Sequence, residues 1–114
     1  MDHFSIHRKK KMNSDLKEMN ELQKAINDWQ LKNFGQHNSD HALMGVSEEV
    51  GELCHAHLKG IQKIRHTEAE IMQKKKDAIG DIVIFLCGYC AGEKILLSDC
   101  IASAWEEVRK RDWT

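Results

Sequence analysis

Apolar residues recur at helical spacing in four separate segments of the chain. The first is expected to run from about Ser14, an N-cap residue type, to about Phe34, with Leu16, Met19, Leu22, Ile26 and Trp29 as its apolar stripe. Gly35 to Asn38 reads as a loop, after which Ser39 can cap a second helix. That helix is expected to turn Leu43, Val46, Val50, Leu53 and Leu58 inward and to stop near Gly60. Thr67 and Glu70 have the spacing of a capping box and open a third helix, polar through Lys74, Lys75 and Lys76, then apolar to Ala91, with Gly92 ending it. A fourth is expected from about Ser98, packing Ile101, Ala102, Trp105 and Val108. No segment alternates convincingly as a strand, although Ile82 to Ile84 is β-branched. The pattern predicts a small all-α, four-helix bundle.

Composition sharpens this picture. The chain has 114 residues, room for one domain, and no proline, which favours helices joined by short turns. Residues 1–13, with a basic cluster from Arg8 to Lys11, read as a flexible, solvated N-terminal tail, and 14–114 as the helical domain. No apolar run follows the basic cluster, so neither a secretory signal nor a membrane anchor is expected, and a cytoplasmic location is. Seventeen Lys and Arg against eighteen Asp and Glu leave a net charge of -1, which argues against a generally basic nucleic-acid binder. The near-apolar stretch from Ala78 to Ala91 contains Asp81 and is too short to span a bilayer.

Cys87 and Cys90 form a CxxC within an apolar helical run. A zinc site would need further ligands, for which Cys54, His55 and His57 are candidates, but the flanks lack the turns of such sites. Reduced, largely buried thiols are expected.

The informative chemistry is acidic. The second segment reads Glu48-Glu49-Val50-Gly51-Glu52-Leu53 and the third Asp77-Ala78-Ile79-Gly80-Asp81-Ile82, near copies of one pattern. Residues three or four apart share a helix face, so Glu48 and Glu49 neighbour Glu52, and Asp77 neighbours Asp81. Gly51 and Gly80 are expected to permit close helix approach. If the two helices lie side by side, up to five carboxylates converge. They either face solvent and pair with Lys59, Lys63 or the lysine run, or hold a hard divalent cation that cancels their repulsion. Glu52 and His55 form an ExxH, the element of di-iron bundles, but Ile84 stands where a second His is needed. Without an obvious iron ligand set, Mg²⁺ (or Mn²⁺) acting on a phosphate is the favoured metal reading.

These segments, in this order, resemble the MazG-type all-α nucleoside triphosphate pyrophosphohydrolases. The resemblance covers about Leu22 to Trp113: Trp29, Gln30, Asn33, Phe34 and Gly35, then EExxE at Glu48, Glu49 and Glu52, then the Asp of an ExxD at Asp81, and a closing WEEVRKRDW. The chain departs from the family pattern at Ala78, where ExxD has its Glu; Asp77 is the neighbouring acid. The resemblance implies Mg²⁺-dependent cleavage of (d)NTP to (d)NMP and pyrophosphate, in nucleotide-pool house-cleaning. Glu49, Glu52, Asp77 and Asp81 would be metal ligands, and Glu48 or Glu49 would orient or deprotonate the attacking water. Trp29, Gln30, Asn33 and Phe34 would meet the nucleoside, with Lys59, Arg109, Lys110 or Arg111 near the leaving pyrophosphate. It also implies a homo-oligomer, tetramer or dimer. The competing expectation is a non-enzymatic helical interaction or regulatory module.

Overall fold

The computed structural model describes the backbone of residues 3–63 and 65–113, and side chains within these from residue 11 onward. It contains four helices and, among the described residues, no strand: α1 His3–Phe34, α2 Ser39–Gln62, α3 Glu68–Gly92 and α4 Leu97–Val108. The all-α expectation holds, and no described helix is long and apolar enough to cross a membrane.

Helix ends differ in instructive ways. α1 starts eleven residues before Ser14 because Lys, Arg and Met are good helix formers and nothing before Phe34 is Gly or Pro. The α2 cap is Asn38, whose Oδ1 accepts from the His41 N–H at 3.1 Å, rather than Ser39. α2 passes through Gly60 and stops at Gln62, where Lys63 takes a left-handed conformation and donates its N–H to the Lys59 carbonyl. The capping box of α3 is formed as expected, with Thr67 and Glu70 each bonding the other's backbone N–H at 3.1 Å.

α2 and α3 make an antiparallel hairpin, in which Gly45 lies against Phe85 and Gly60 against Ile71. Small residues carry the α2 side of this seam: Ala42, Gly45 and Ala56 are buried. Leu43, Val50 and Leu58, expected inward, are instead exposed. The cause is steric, since Ala and Gly let two helix axes approach where Leu and Val would hold them apart. Gly51 and Gly80 do not serve this approach, because a Cβ at either would meet open space.

α1 packs on α3 and α4 but not on α2, and α4 does not reach α2. The α1 interface is polar. Asn20, Gln23, Asn27 and Gln30 recur at i, i+3, i+7 and i+10, and they, rather than Leu22 and Trp29, face the other helices. Gln30 Nε2 donates to the Ile84 carbonyl at 3.1 Å and Asn27 Nδ2 to the Cys87 carbonyl at 3.0 Å. Gln23 Oε1 accepts from the Leu97 N–H at 2.9 Å and so caps α4, whose own N-cap, Leu96, has no side chain able to do so. Ser98 is buried and donates to Asn20 Oδ1 instead of capping its helix. On α4, Ile101, Trp105 and Val108 are exposed rather than packed. All four cysteines are free thiols, with Cys87 and Cys90 buried.

Candidate functional site

The hairpin register decides which acids meet. With Gly45 on Phe85, the next turn of α2 carries Glu49 and the preceding turn of α3 carries Asp81, so these two face each other. Glu49 is half-buried while Glu48, Glu52, Asp77 and Asp81 are exposed. The Glu49 carboxyl is held above its ordinary range, first by its partial burial and then by the charges of Asp81, Glu52 and Glu48. Four acids therefore share one field. Among the described residues no ion pair joins any of them to Lys59, Lys63 or the lysine run.

Asp77 stands apart from this group. Its Oδ1 accepts from Gln73 Nε2 at 2.8 Å, and it is not among the charges acting on Glu49. Ala78, where the family pattern has Glu, lies in the α2–α3 seam with 3% of its surface exposed. A carboxylate there would have to displace the seam, so the missing ligand is not replaced in kind. The donor chemistry, hard carboxylate oxygens on facing helix turns, is that favoured by Mg²⁺ or Mn²⁺. The side chains are nonetheless spread: among the described residues no three of His, Cys, Asp and Glu are gathered into a ligating group.

One turn from Asp81 and two from Glu49, on the far side of Phe85, a cavity of about 390 Å³ opens between the end of α1 and the start of α2. Gln30 and Phe34, His37 and Asn38, His41 and Phe85 line it. Two aromatic rings, amides and imidazoles around a partly apolar space suit a flat heterocycle that also needs hydrogen bonds at its edge. Gln30 and Phe34 were legible candidates. His37, Asn38, His41 and Phe85 were not, because three sit in or beside a polar loop and Phe85 is hidden within an apolar run.

The remaining candidates are scattered. Trp29 is 55% exposed and does not line the cavity; its ring meets Phe34 edge-on, with centroids 5.8 Å apart and planes at 83°. Asn33 turns back to donate to the Trp29 carbonyl at 2.8 Å. Lys59 lies ten residues beyond Glu49, about 15 Å along the helix axis and in the direction away from the cavity. Arg109 is engaged by Glu106 through two hydrogen bonds of 2.9 and 2.8 Å, and Lys110 approaches the same carboxylate at 3.4 Å. Arg111 is exposed beyond α4, and α4 does not contact α2.

Comparison with protein-family models, with curated proteins and with solved structures gives no match.

Proposed function

We propose that the chain is a Mg²⁺-dependent nucleoside triphosphate pyrophosphohydrolase of the MazG type, converting (d)NTP and water to (d)NMP and pyrophosphate in nucleotide-pool house-cleaning. One observation supports this reading above the others. Asp81 stands one turn from Phe85 and Glu49 two turns from Ala42, both in the wall of a cavity of about 390 Å³, and among the described residues no ion pair engages Glu48, Glu49, Glu52 or Asp81. Two turns rise about 11 Å, a spacing that lets one nucleotide place its base in the cavity and its phosphates at the acids.

In this reading Glu49, Glu52 and Asp81 hold the Mg²⁺, with Asp77 reaching it only by releasing Gln73. When bound, the ion neutralises phosphate oxygens and lowers the pKa of water. Glu48 or Glu49 orients the water that attacks the α-phosphorus or takes its proton. Phe34 and Phe85 bracket the base, and the Gln30 amide, held by Asn27 and the Ile84 carbonyl, presents a fixed edge to it. Trp29 extends the apolar wall from outside by its contact with Phe34. The cations Lys59, Arg109 and Arg111 would serve the leaving pyrophosphate only from another copy of the chain, which fits the proposed homo-oligomer, a tetramer in preference to a dimer.

The test is a panel of ribo- and deoxyribonucleoside triphosphates with Mg²⁺, assayed for pyrophosphate rather than phosphate. Asp81→Asn keeps the shape and removes a charge, so turnover should fall on the order of 10²-fold or more. Turnover that is unchanged at saturating Mg²⁺ removes Asp81 from the site. Failure of every triphosphate to yield pyrophosphate defeats the reaction.

A further inference from the structure

The connection between α3 and α4 brings two thiols together. α3 stops at Gly92, and the Glu93 N–H still bonds the Tyr89 carbonyl at 3.0 Å. Lys94 then takes a left-handed conformation, φ 60°, and the Ile95 N–H reaches back to the Cys90 carbonyl at 2.9 Å. The chain reverses within four residues, and α4 begins at Leu97, under the Gln23 cap. Cys90 lies in the last turn of α3 and Cys100 in the first turn of α4, and the two helices pack on each other across the connection. Their thiols share a side-chain hydrogen bond, and Cys87, one turn earlier on α3, stands in the same field.

The two thiols differ in access. Cys100 is exposed, whereas Cys90 shows 3% of its surface and Cys87 2%. Burial first, and then the neighbouring Cys100, raise the Cys90 thiol above its ordinary range, so it stays protonated and out of solvent's reach. An oxidant arriving from solvent therefore meets Cys100 first, with a second thiol already in contact behind it. Two thiols are too few to hold a soft metal, and among the described residues no three of His, Cys, Asp and Glu are gathered into a ligating group. The chemistry open to this pair is between sulfur and sulfur.

We propose that Cys100 and Cys90 are a peroxide-responsive pair, in which Cys100 is the thiol oxidised and Cys90 the thiol that closes a disulfide with it. The Cys100 sulfur attacks hydrogen peroxide: an S–O bond forms, the O–O bond breaks, and the departing hydroxide takes the thiol proton and leaves as water. Cys100 is then a sulfenic acid. The Cys90 sulfur attacks the Cys100 sulfur: the S–S bond forms, the S–O bond breaks, and the hydroxyl leaves with the Cys90 proton as a second water. The two thiols lose two electrons between them and one peroxide gains two. The new bond ties α3 to the start of α4, which hydrogen bonds with Gln23 and Asn20 of α1 hold in the reduced chain. The proposal rests on this cluster and does not depend on the nucleotide reading.

Peptide mapping of the full chain tests it. The protein is treated at low micromolar concentration with stoichiometric hydrogen peroxide, its remaining thiols are alkylated, and it is digested with trypsin without reductant. Cleavage after Lys76, Lys94 and Arg109 puts Cys87 and Cys90 in peptide 77–94 and Cys100 in peptide 95–109. The two peptides should appear linked, about 2 Da lighter than their sum, and a thiol reductant should separate them. Fragmentation of the linked pair should place the bond at Cys90. In Cys90→Ser, Cys100 should stop at the sulfenic acid, and its labelling by dimedone should rise roughly 10-fold over the native chain. Cys90→Ala replaces that variant if the buried hydroxyl costs the helical circular dichroism. No link between the peptides of the native chain, a bond at Cys87, or equal dimedone labelling of Cys100 in the native chain and the folded variant would each overturn the proposal.

Discussion

Replacing Gly45 by alanine probes the layer that joins the acids to the cavity. A methyl group there would stand 2.7 Å from Cζ of Phe85 and closer still to Cδ1 and Cε1. Carbon atoms rest at about 3.5–4.0 Å, so the ring must recede by roughly 1 Å, into the neighbouring cavity. Overpacking of this kind costs about 1–3 kcal/mol. Alanine returns about 0.8–1.0 kcal/mol of helix propensity relative to glycine. The net expectation is a loss of about 1 kcal/mol. Gly51→Ala and Gly80→Ala supply the reference, because their methyl groups meet nothing within 4 Å. Each should gain close to the full propensity term, so the two kinds of variant differ by roughly 2 kcal/mol and in sign. Urea denaturation at a fixed protein concentration reads this directly, as midpoints moving in opposite directions. In a Phe85→Leu background the penalty at Gly45 should shrink, since the obstructing ring is gone, and a double-mutant cycle isolates that coupling. If Gly45→Ala stabilises as much as Gly51→Ala, Phe85 does not rest on the α2 backbone. The account of the seam, and of how the cavity is walled, then fails with it.

Two further perturbations address the polar ladder and the acids. Gln23→Leu removes the acceptor for the Leu97 N–H and should destabilise by about 1–3 kcal/mol, with amide exchange at the start of α4 accelerated more than elsewhere; uniform exchange would refute a local cap. Glu49→Gln should raise stability at neutral pH: with its carboxyl held high, the folded chain binds that proton more tightly than the unfolded one, so this group's effect favours folding as pH falls and disfavours it as pH rises through the raised value. A stability–pH slope just above the ordinary Glu range that is the same in Glu49→Gln and the native chain would show that Glu49 is not the group responsible.

Helix number and turn positions were legible because they follow from local rules. The Thr67–Glu70 box and the absence of proline act within a few residues, and both appear in the structure. Which face of each helix is buried was not legible, because that depends on what lies opposite. On α2 the eye goes to Leu43, Val50 and Leu58, yet the seam selects the small Ala42, Gly45 and Ala56. On α1 the apolar stripe competes with a polar one of the same period, and the polar one wins. Asn27 and Gln30 donate to the Cys87 and Ile84 carbonyls of α3, second bonds to oxygens already within the helix ladder, which aliphatic side chains cannot make. Spacing placed Glu48, Glu49, Glu52 and Asp81 in one field on condition that the helices pair; the helices do pair, but among the described residues no three of the acids gather into a ligating group. It could not show that Asp77 turns to Gln73, a contact between side chains of similar reach on the same helix.

The small residues of the seam also bear on the acids, and this can be tested away from them. Glu49 occupies a seam position, so its carboxyl leaves the helix toward α3 and meets Asp81 there. Its partial burial depends on how closely the two helices approach, which Ala42, Gly45, Ala56 and Gly60 permit. Ala56 is buried two turns along the same face, away from the acids. Ala56→Leu should wedge the helices apart at that level, costing about 1–3 kcal/mol. Water then reaches Glu49, its separation from Asp81 grows, and both causes of its raised pKa weaken. The Glu49 titration, followed by carboxyl-carbon NMR, should move down toward the ordinary Glu range in Ala56→Leu. In Gly45→Ala, where the Phe85 ring absorbs the added methyl by moving into the cavity, it should stay in place. If both variants leave Glu49 unmoved while Ala56→Leu loses stability, helix approach does not set the field at the acids. Its elevation would then come from the exposed carboxylates alone, and it should disappear in Asp81→Asn.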